Sequence, residues 1–201
     1  MAVINIDATD IKGVVFDLDG TLVDSRLDFN AMREELGFPE SEPILEHLAT
    51  LSDQAAIDQA QQIIRRHEMD GAKAATWMPG AKGFVHHLKS LGIPMAILTR
   101  NMQEAAALTC VSLGIPIDFI LTREDCLPKP DPQGLLMIAR QWQMDCGNMV
   151  YIGDYRFDIE VAVNANMRSC LYLNKQNSSY ADQADWVIDH FDQLTAAFGK
   201  A

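Results

Sequence analysis

Short, continuously apolar runs alternating with amphipathic stretches constrain this chain more than any other feature. "IKGVVFDLD", "IPMAILT" (Ile93 to Thr99), "IDFILT" (Ile117 to Thr122) and "NMVYIGD" (Asn148 to Asp154) read as strands, followed by "RSCLYLN" and "ADWVIDH". Between them, "AKGFVHHLKSL", "MQEAAALTCVSLG", "PQGLLMIARQWQM" and "DIEVAVNAN" carry helical periodicity. Strands that are apolar on both faces and separated by helices belong to a parallel sheet covered on each side. The expected core is a doubly wound, Rossmann-like α/β fold.

One region breaks the rhythm. From about Arg26 to Trp77 there is no strand signal, and "DFNAMREELG", "EPILEHLATL" and "SDQAAIDQAQQIIRRHEMDGAKAAT" are helical in character. Ile57, Ile63 and Ile64, with nearby alanines, offer one apolar face, and "IIRRHE" reads as a solvated one. A crossover between parallel strands needs only about a dozen residues, so a segment this long is more than a connection. Pro79 and Gly80 mark the return to alternation. The 201 residues therefore divide into an α/β core, residues 1–22 and 80–201, and a small helical cap domain, residues 23–79. The "LVDS" that leaves the first strand reads as a hinge strand into the cap.

Charge and cysteine content narrow the setting. A formal net charge of −12 disfavours nucleic acid as a partner, although a local cation would still allow phosphorylated small molecules. Cys110, Cys126, Cys146 and Cys170 form no CxxC pair and read as free thiols of a reducing compartment. "MAVINIDATD" lacks a basic segment followed by a long apolar run, so no signal peptide is expected. No apolar run approaches the ~20 residues of a membrane span. A soluble cytoplasmic protein is the expectation.

Ligands of open α/β sheets bind at the carboxyl ends of the strands, where the topology reverses. The first strand ends in Asp17 and Asp19, the second in Thr99 within "AILTRN". "CLPKPDP" after the third presents Lys129, and "GDYRFD" at the fourth gives Asp154 and Asp158. Each residue has a bland reading by itself: the aspartate pair as an acidic turn, Thr99 as a helix cap, Lys129 as a solvated loop cation, Asp158 as a first-turn carboxylate favoured by the helix dipole. An EF-hand loop is excluded, because its glycine comes too early and no glutamate closes it. Converging on one sheet edge, the same residues suit phosphoryl transfer. Clustered carboxylates repel one another, and Mg²⁺ relieves this with a few carboxylates plus a substrate phosphate. One carboxylate can then attack phosphorus, a second can move protons, and a lysine can hold a phosphoryl oxygen.

The motifs "DLDGT", "LTRN", "PKPDP" and "GDYRFD", in this order, resemble the four motifs of the haloacid dehalogenase superfamily over nearly the whole chain. The likeness is strongest to its phosphoglycolate phosphatase-type branch, whose small helical cap follows the first motif. The resemblance implies a Mg²⁺-dependent phosphatase acting on a small phosphorylated metabolite. It implies Asp17 as nucleophile and metal ligand, and Asp19 as general acid/base that also offers its backbone carbonyl to the metal. Thr99, Lys129 and the amides of Leu18 and Arg100 would bind phosphate, and the peptide before Pro130 would be cis. Asp154 would ligate the metal directly, and Asp158 would join the metal set through a bound water or through Lys129.

Arg100 is also a candidate contact for the leaving group, ahead of Arg33 and Lys73 in the cap. Asp19 argues against dehalogenases and phosphonate-cleaving members, which lack that aspartate. Hexose phosphomutases usually carry a histidine ten residues beyond the second aspartate, where this chain has Phe29. A non-catalytic phospho-acceptor of receiver type is the other alternative. It must preserve its aspartyl phosphate, so Asp19 and the helical insert both count against it.

Overall fold

The computed structural model describes residues 6–40 and 42–199, so residues 1–5 of the N-terminal stretch considered above lie outside it. Strands β1 (Gly13–Phe16), β4 (Met95–Leu98), β5 (Phe119–Leu121), β6 (Met149–Gly153), β7 (Arg168–Tyr172) and β8 (Trp186–Ile188) form one parallel sheet, ordered β5-β4-β1-β6-β7-β8. The strands are shorter than the apolar runs that announce them, because ladder pairing stops where the chain turns towards the next helix. The doubly wound α/β expectation holds.

Alternation along each strand sorts side chains to opposite faces. Val14, Phe16, Ile97, Val150 and Ile152 join one core with Phe84, Val85 and Leu88 of α4 (Ala81–Ser90), Ala106 of α5 (Gln103–Leu113) and Leu194 of α8 (Asp192–Ala197). Val15, Ala96, Leu98, Met149 and Tyr151 pack on the other side against Leu135 and Ile138 of α6 (Gln133–Trp142) and Val161 of α7 (Arg156–Asn164). Residues that look uniformly apolar along the sequence thus serve two cores. The chain steps outward from β1 through β4 to β5, then crosses back to β6 on the other flank of β1. The reversal falls at the carboxyl end of β1, directly beside Asp17.

Residues after β1 form an antiparallel pair, β2 (Val23–Asp24) with β3 (Thr76–Trp77), from which three helices extend. The expected hinge strand in "LVDS" is present; its partner β3 falls in a stretch read as strandless, and two residues are too few for a periodic signal. Helix α1 (Phe29–Leu36) starts at Asp28, whose carboxylate accepts from the amides of Asn30 and Ala31. Helix α2 (Ile44–Thr50) follows, and α3 (Gln54–Ala74) begins at Asp53 in the same capped manner. Met32, Ile44 and Ile64 form the insert's own small core with Leu27, Leu36 and Phe38. Ile64 is the buried isoleucine of α3, while Ile57 and Ile63 are half-buried. The "IIRRHE" segment corrects the solvated reading: Arg65 and Arg66 face solvent, but Glu68 is buried. Among the described residues no helix is long and apolar enough to cross a membrane.

Candidate active site

Asp17 follows β1 directly, and its amide donates to the carbonyl of Ile152 at 2.8 Å, fixing the chain between β4 and β6. The loop beyond folds tightly: the Leu18 carbonyl accepts from Leu22 and Val23 at 3.0 Å, and Gly20 donates to Val23 at 2.8 Å. Gly20 has φ +78°, and a Cβ there would lie 2.5 Å from the Asp154 carboxylate. The glycine of "DLDGT" therefore makes room for a carboxylate from another strand end.

Lys129 organises the centre. The peptide Lys129–Pro130 is cis, and the buried ammonium donates to Asp17 Oδ1 at 2.7 Å, Asp158 Oδ1 at 2.6 Å and the Tyr151 hydroxyl at 2.9 Å. The Tyr151 hydroxyl in turn donates to the Leu98 carbonyl at 2.8 Å, tying the lysine's third contact to β4. The other oxygen of Asp158 accepts from the amides of Asp154 at 3.1 Å and Tyr155 at 2.8 Å, capping α7. Asp158 is thus both a helix-cap carboxylate and a site residue. It reaches this position only because residue 153 is glycine; a Cβ there would lie 2.2 Å from Asp158 Cγ.

Carboxylate oxygens of Asp17, Asp154 and Asp158 lie within 4.8 Å of one another. Against the one ammonium of Lys129, three carboxylates leave two formal negative charges. Burial pushes the Asp17 carboxyl up to about 7, opposed chiefly by Lys129 and reinforced by Asp158. Burial, then Asp158 and Asp17, hold Asp154 well above the ordinary carboxylate range. A group of oxygen donors with a two-charge excess is the donor chemistry that a hard divalent cation satisfies. Asp17 Oδ2 has no hydrogen-bond partner among the described residues, and there the Asp154 carboxylate accepts only from Asn174, at 3.2 Å. Both oxygens of Asp158 are occupied, so it meets the cluster by way of Lys129.

Asp19 turns its side chain away from the cluster, towards Asn101, whose Nδ2 donates to it. Burial raises its carboxyl, while hydrogen bonds from Ser25 and Asn101 pull the other way. Only its backbone carbonyl remains for a cation. Thr99 extends β4 beside the loop after β1; it is 4% exposed, and its hydroxyl accepts from the Asn101 amide at 3.2 Å. The amides of Leu18 and Arg100 have no protein acceptor among the described residues, which leaves them available to an anion. The Arg100 guanidinium is engaged elsewhere, with Glu46 of α2 at 2.6 Å and over the Phe157 ring at 4.7 Å. Arg33 donates to the carbonyls of Phe29 and Glu42 and Lys73 pairs with Asp70, so neither reaches the cluster.

Four residues not singled out from the sequence hold this arrangement. Asn101 stands inside "LTRN" but looks like a turn residue. Tyr151 resembles any core aromatic of a buried strand. Asn177, buried beyond β7, donates to the carbonyls of Asp154 at 2.7 Å and Tyr172 at 2.9 Å, and no local pattern marks it. Glu68 occupies an otherwise apolar helix stripe, a signal available from the register of α3.

Comparison with known proteins agrees with this geometry. The family model for haloacid dehalogenase-like hydrolases matches residues 14–172. A haloacid dehalogenase-like hydrolase domain-containing protein of Arabidopsis thaliana is 31% identical over 175 residues, covering 81% of this chain and 71% of the relative. A phosphoglycolate phosphatase of Chromobacterium violaceum is 30% identical over 178 residues, covering 76% of this chain and 80% of that protein. A crystal structure of a haloacid dehalogenase-like hydrolase from Bacteroides fragilis superposes with a TM-score of 0.77 at 21% identity, covering 92% of this chain and 99% of the other.

Proposed function

The chain belongs to the haloacid dehalogenase-like hydrolase family, and we propose that it hydrolyses a small phosphomonoester with Mg²⁺ through an aspartyl phosphate on Asp17. The observation that carries this reading is the Lys129 ammonium, bonded to one oxygen of Asp17 while the other oxygen stays free among the described residues. Lys129 fixes the carboxylate and leaves a lone pair for phosphorus. Attack forms the Asp17–phosphorus bond and breaks the bond to the alcohol. Asp19, its carboxyl raised by burial, gives the leaving oxygen its proton. It then takes a proton from the water that attacks the aspartyl phosphate, which returns Asp17 and releases phosphate. The Thr99 hydroxyl and the Leu18 and Arg100 amides bind the phosphoryl oxygens.

Asp17, Asp154 and the backbone carbonyl of Asp19 are the groups that would hold Mg²⁺; when bound it offsets the charge of the carboxylates and phosphate. Asp158 serves through Lys129, to which it bonds at 2.6 Å. Residues 23–79 act as a cap over the core of 1–22 and 80–201, excluding water and selecting the substrate. The phosphatase relatives support a small phosphorylated metabolite as substrate, and the net charge of −12 disfavours nucleic acid. Four free thiols support a reducing, cytoplasmic setting. Phe29, where mutases usually have histidine, is half exposed on α1 and offers no proton carrier.

The test is phosphate release from a panel of small phosphomonoesters with Mg²⁺ and with chelator. Release that requires Mg²⁺ and disappears in Asp17→Asn is expected. No release from any ester, or release indifferent to chelator and to that substitution, would overturn the reading.

A further inference from the structure

Helix α3 buries Ala60, Ile64, Glu68, Gly71 and Ala72 at helical spacing. Glu68 is the one ionisable member of that stripe and is 7% exposed. A buried carboxylate is costly unless its oxygens are fully bonded, so its partners define its use. Glu68 Oε2 accepts from the Met102 amide at 3.0 Å. Oε1 accepts from Arg123 Nη1 at 2.6 Å, and the same Nη1 donates to the Arg100 carbonyl at 2.8 Å. Met102 stands at the N-terminus of α5 and has no capping side chain of its own. Glu124, adjacent to Arg123, accepts from the next amide, Gln103, at 3.0 Å.

Three consecutive residues thus have their geometry set from outside the loop. The Arg100 carbonyl and the Met102 amide are held through Glu68, and between them Asn101 extends to Asp19. Thr99, whose hydroxyl bonds the Asn101 amide, begins the same turn. The apolar surface around Glu68 closes the seam: Met69 and Ala72 of α3 pack against Met102, Ala105 and Leu108. Two further ion pairs cross from insert to core, Arg65 with Glu104 at 2.5 Å and Arg100 with Glu46 at 2.6 Å. Both include exposed or half-exposed partners, where such pairs contribute little. Glu68 alone among them is buried and bonded to backbone.

We infer that Glu68 is a positioning residue: seated on the core, α3 uses its carboxylate, directly and through Arg123, to set the Thr99–Met102 turn and aim Asn101 at Asp19. The inference rests on the phosphatase reading for the meaning of that turn, and it makes docking of the insert and assembly of the phosphate-binding loop one event. A substrate that engages Thr99 and the Arg100 amide is therefore bound best when α3 is seated.

The experiment has two readouts, measured on wild type, Glu68→Ala, Glu68→Gln, Arg123→Met and Arg65→Ala. Steady-state kinetics use the phosphomonoester that wild type turns over fastest. Amide exchange is followed at Met102 in every variant. A misplacement of about 1 Å in a catalytic group can cost roughly 100-fold, so Glu68→Ala should lose roughly 10- to 100-fold in kcat/KM with kcat falling. Glu68→Gln keeps an acceptor for Met102 and should recover part of kcat, and Arg123→Met should match Glu68→Ala in kinetics while Met102 stays protected. Arg65→Ala removes an exposed pair and should stay within about twofold of wild type. In Glu68→Ala the Met102 amide should exchange far faster, with the β1 and β6 amides unchanged. Wild-type kcat and KM in a folded Glu68→Ala or Arg123→Met would overturn the inference, and so would unchanged exchange at Met102. If wild type releases phosphate from no ester, the hydrolase reading fails by itself, and the exchange data still decide whether Glu68 orders the turn.

Discussion

Replacing Lys129 by methionine keeps most of the side-chain volume and removes the cation that bonds Asp17 and Asp158. The Lys129 side chain is 5% exposed and its ammonium bonds two carboxylates, Asp17 at 2.7 Å and Asp158 at 2.6 Å, on side chains that are themselves 11% and 3% exposed. At an effective dielectric constant near ~20, each pair at this separation attracts by roughly 6 kcal/mol before the cost of burying the charges. Desolvation returns much of that gain, and removing one partner of a buried pair typically costs about 3–5 kcal/mol, because the remaining charge is left uncompensated. For a chain of this length each kcal/mol shifts the melting temperature by about 2–4 °C, which places Lys129→Met roughly 6–20 °C below wild type.

Thermal unfolding followed by circular dichroism in chelator at pH 7.5 measures this directly. Added Mg²⁺ should restore part of the loss, since a ligand of the native state stabilises it by about 2.7 kcal/mol at 100 times its dissociation constant. Turnover should fall by at least roughly 100-fold even where the variant is fully folded, since Asp17 loses its orientation and the phosphoryl oxygens lose a donor. A variant that melts within about 3 °C of wild type in chelator would refute the reasoning, because at most about 1.5 kcal/mol is then lost at a site argued to lose several.

Other perturbations follow from the same contacts. Gly153→Ala puts a methyl 2.2 Å from Asp158 Cγ, so Asp158 must leave Lys129 and the amides at the start of α7. The expected loss is about 1–3 kcal/mol in denaturant unfolding with nearly complete loss of turnover, and near-normal turnover would contradict the packing. Asn177→Ala leaves the Asp154 and Tyr172 carbonyls without their donor. Its Mg²⁺ requirement should rise by roughly 10- to 100-fold in a metal titration of activity, as for residues that orient metal ligands. Burial pushes the Cys110 thiol up to about 11 and Cys170 higher still, so little thiolate forms at pH 8. Mass spectrometry after thiol labelling should find both unmodified in the folded protein, with Cys126 and Cys146 slowly labelled; rapid native labelling of Cys170 would contradict its burial.

The parallel sheet and the site cluster were legible because both are written in short-range code. A strand buried on both faces must be apolar throughout, and a site at a topological reversal must collect its residues from strand ends. Asp17, Lys129, Asp154 and Asp158 converge for that reason. Tyr151 and Glu68 were not legible in the same way. A tyrosine in "MVYIG" looks like core filling until α6 and α7 show which face it occupies and which polar atoms await its hydroxyl. Glu68 sits among Arg65, Arg66 and His67 and shares their polarity, yet the turn of α3 buries it while Arg65 and Arg66 stay exposed. The pair β2 and β3 escapes for another reason: two residues per strand complete no period, and only closure across fifty intervening residues creates the ladder.

Arg100 presents the sharpest contrast between motif and setting. Beside Thr99 it reads as a cation ready for the substrate's far end, but its guanidinium lies on Phe157 and pairs with Glu46, itself 42% exposed on its side chain. An ion pair so open to water contributes only about 0–1 kcal/mol, so an anionic substrate group could take the place of Glu46 at little cost. A contact made by such exchange predicts a specific asymmetry in Glu46→Gln. Esters bearing a second anionic group should show a KM lowered by up to roughly fivefold, the equivalent of about 1 kcal/mol, because the competitor is gone. Esters with an uncharged leaving group should show no change, since they never displaced the carboxylate. Parallel shifts for both classes would assign Arg100 and Glu46 to closure of the insert alone. An unchanged KM for both would mean that Arg100 touches the substrate through its backbone amide and nothing more.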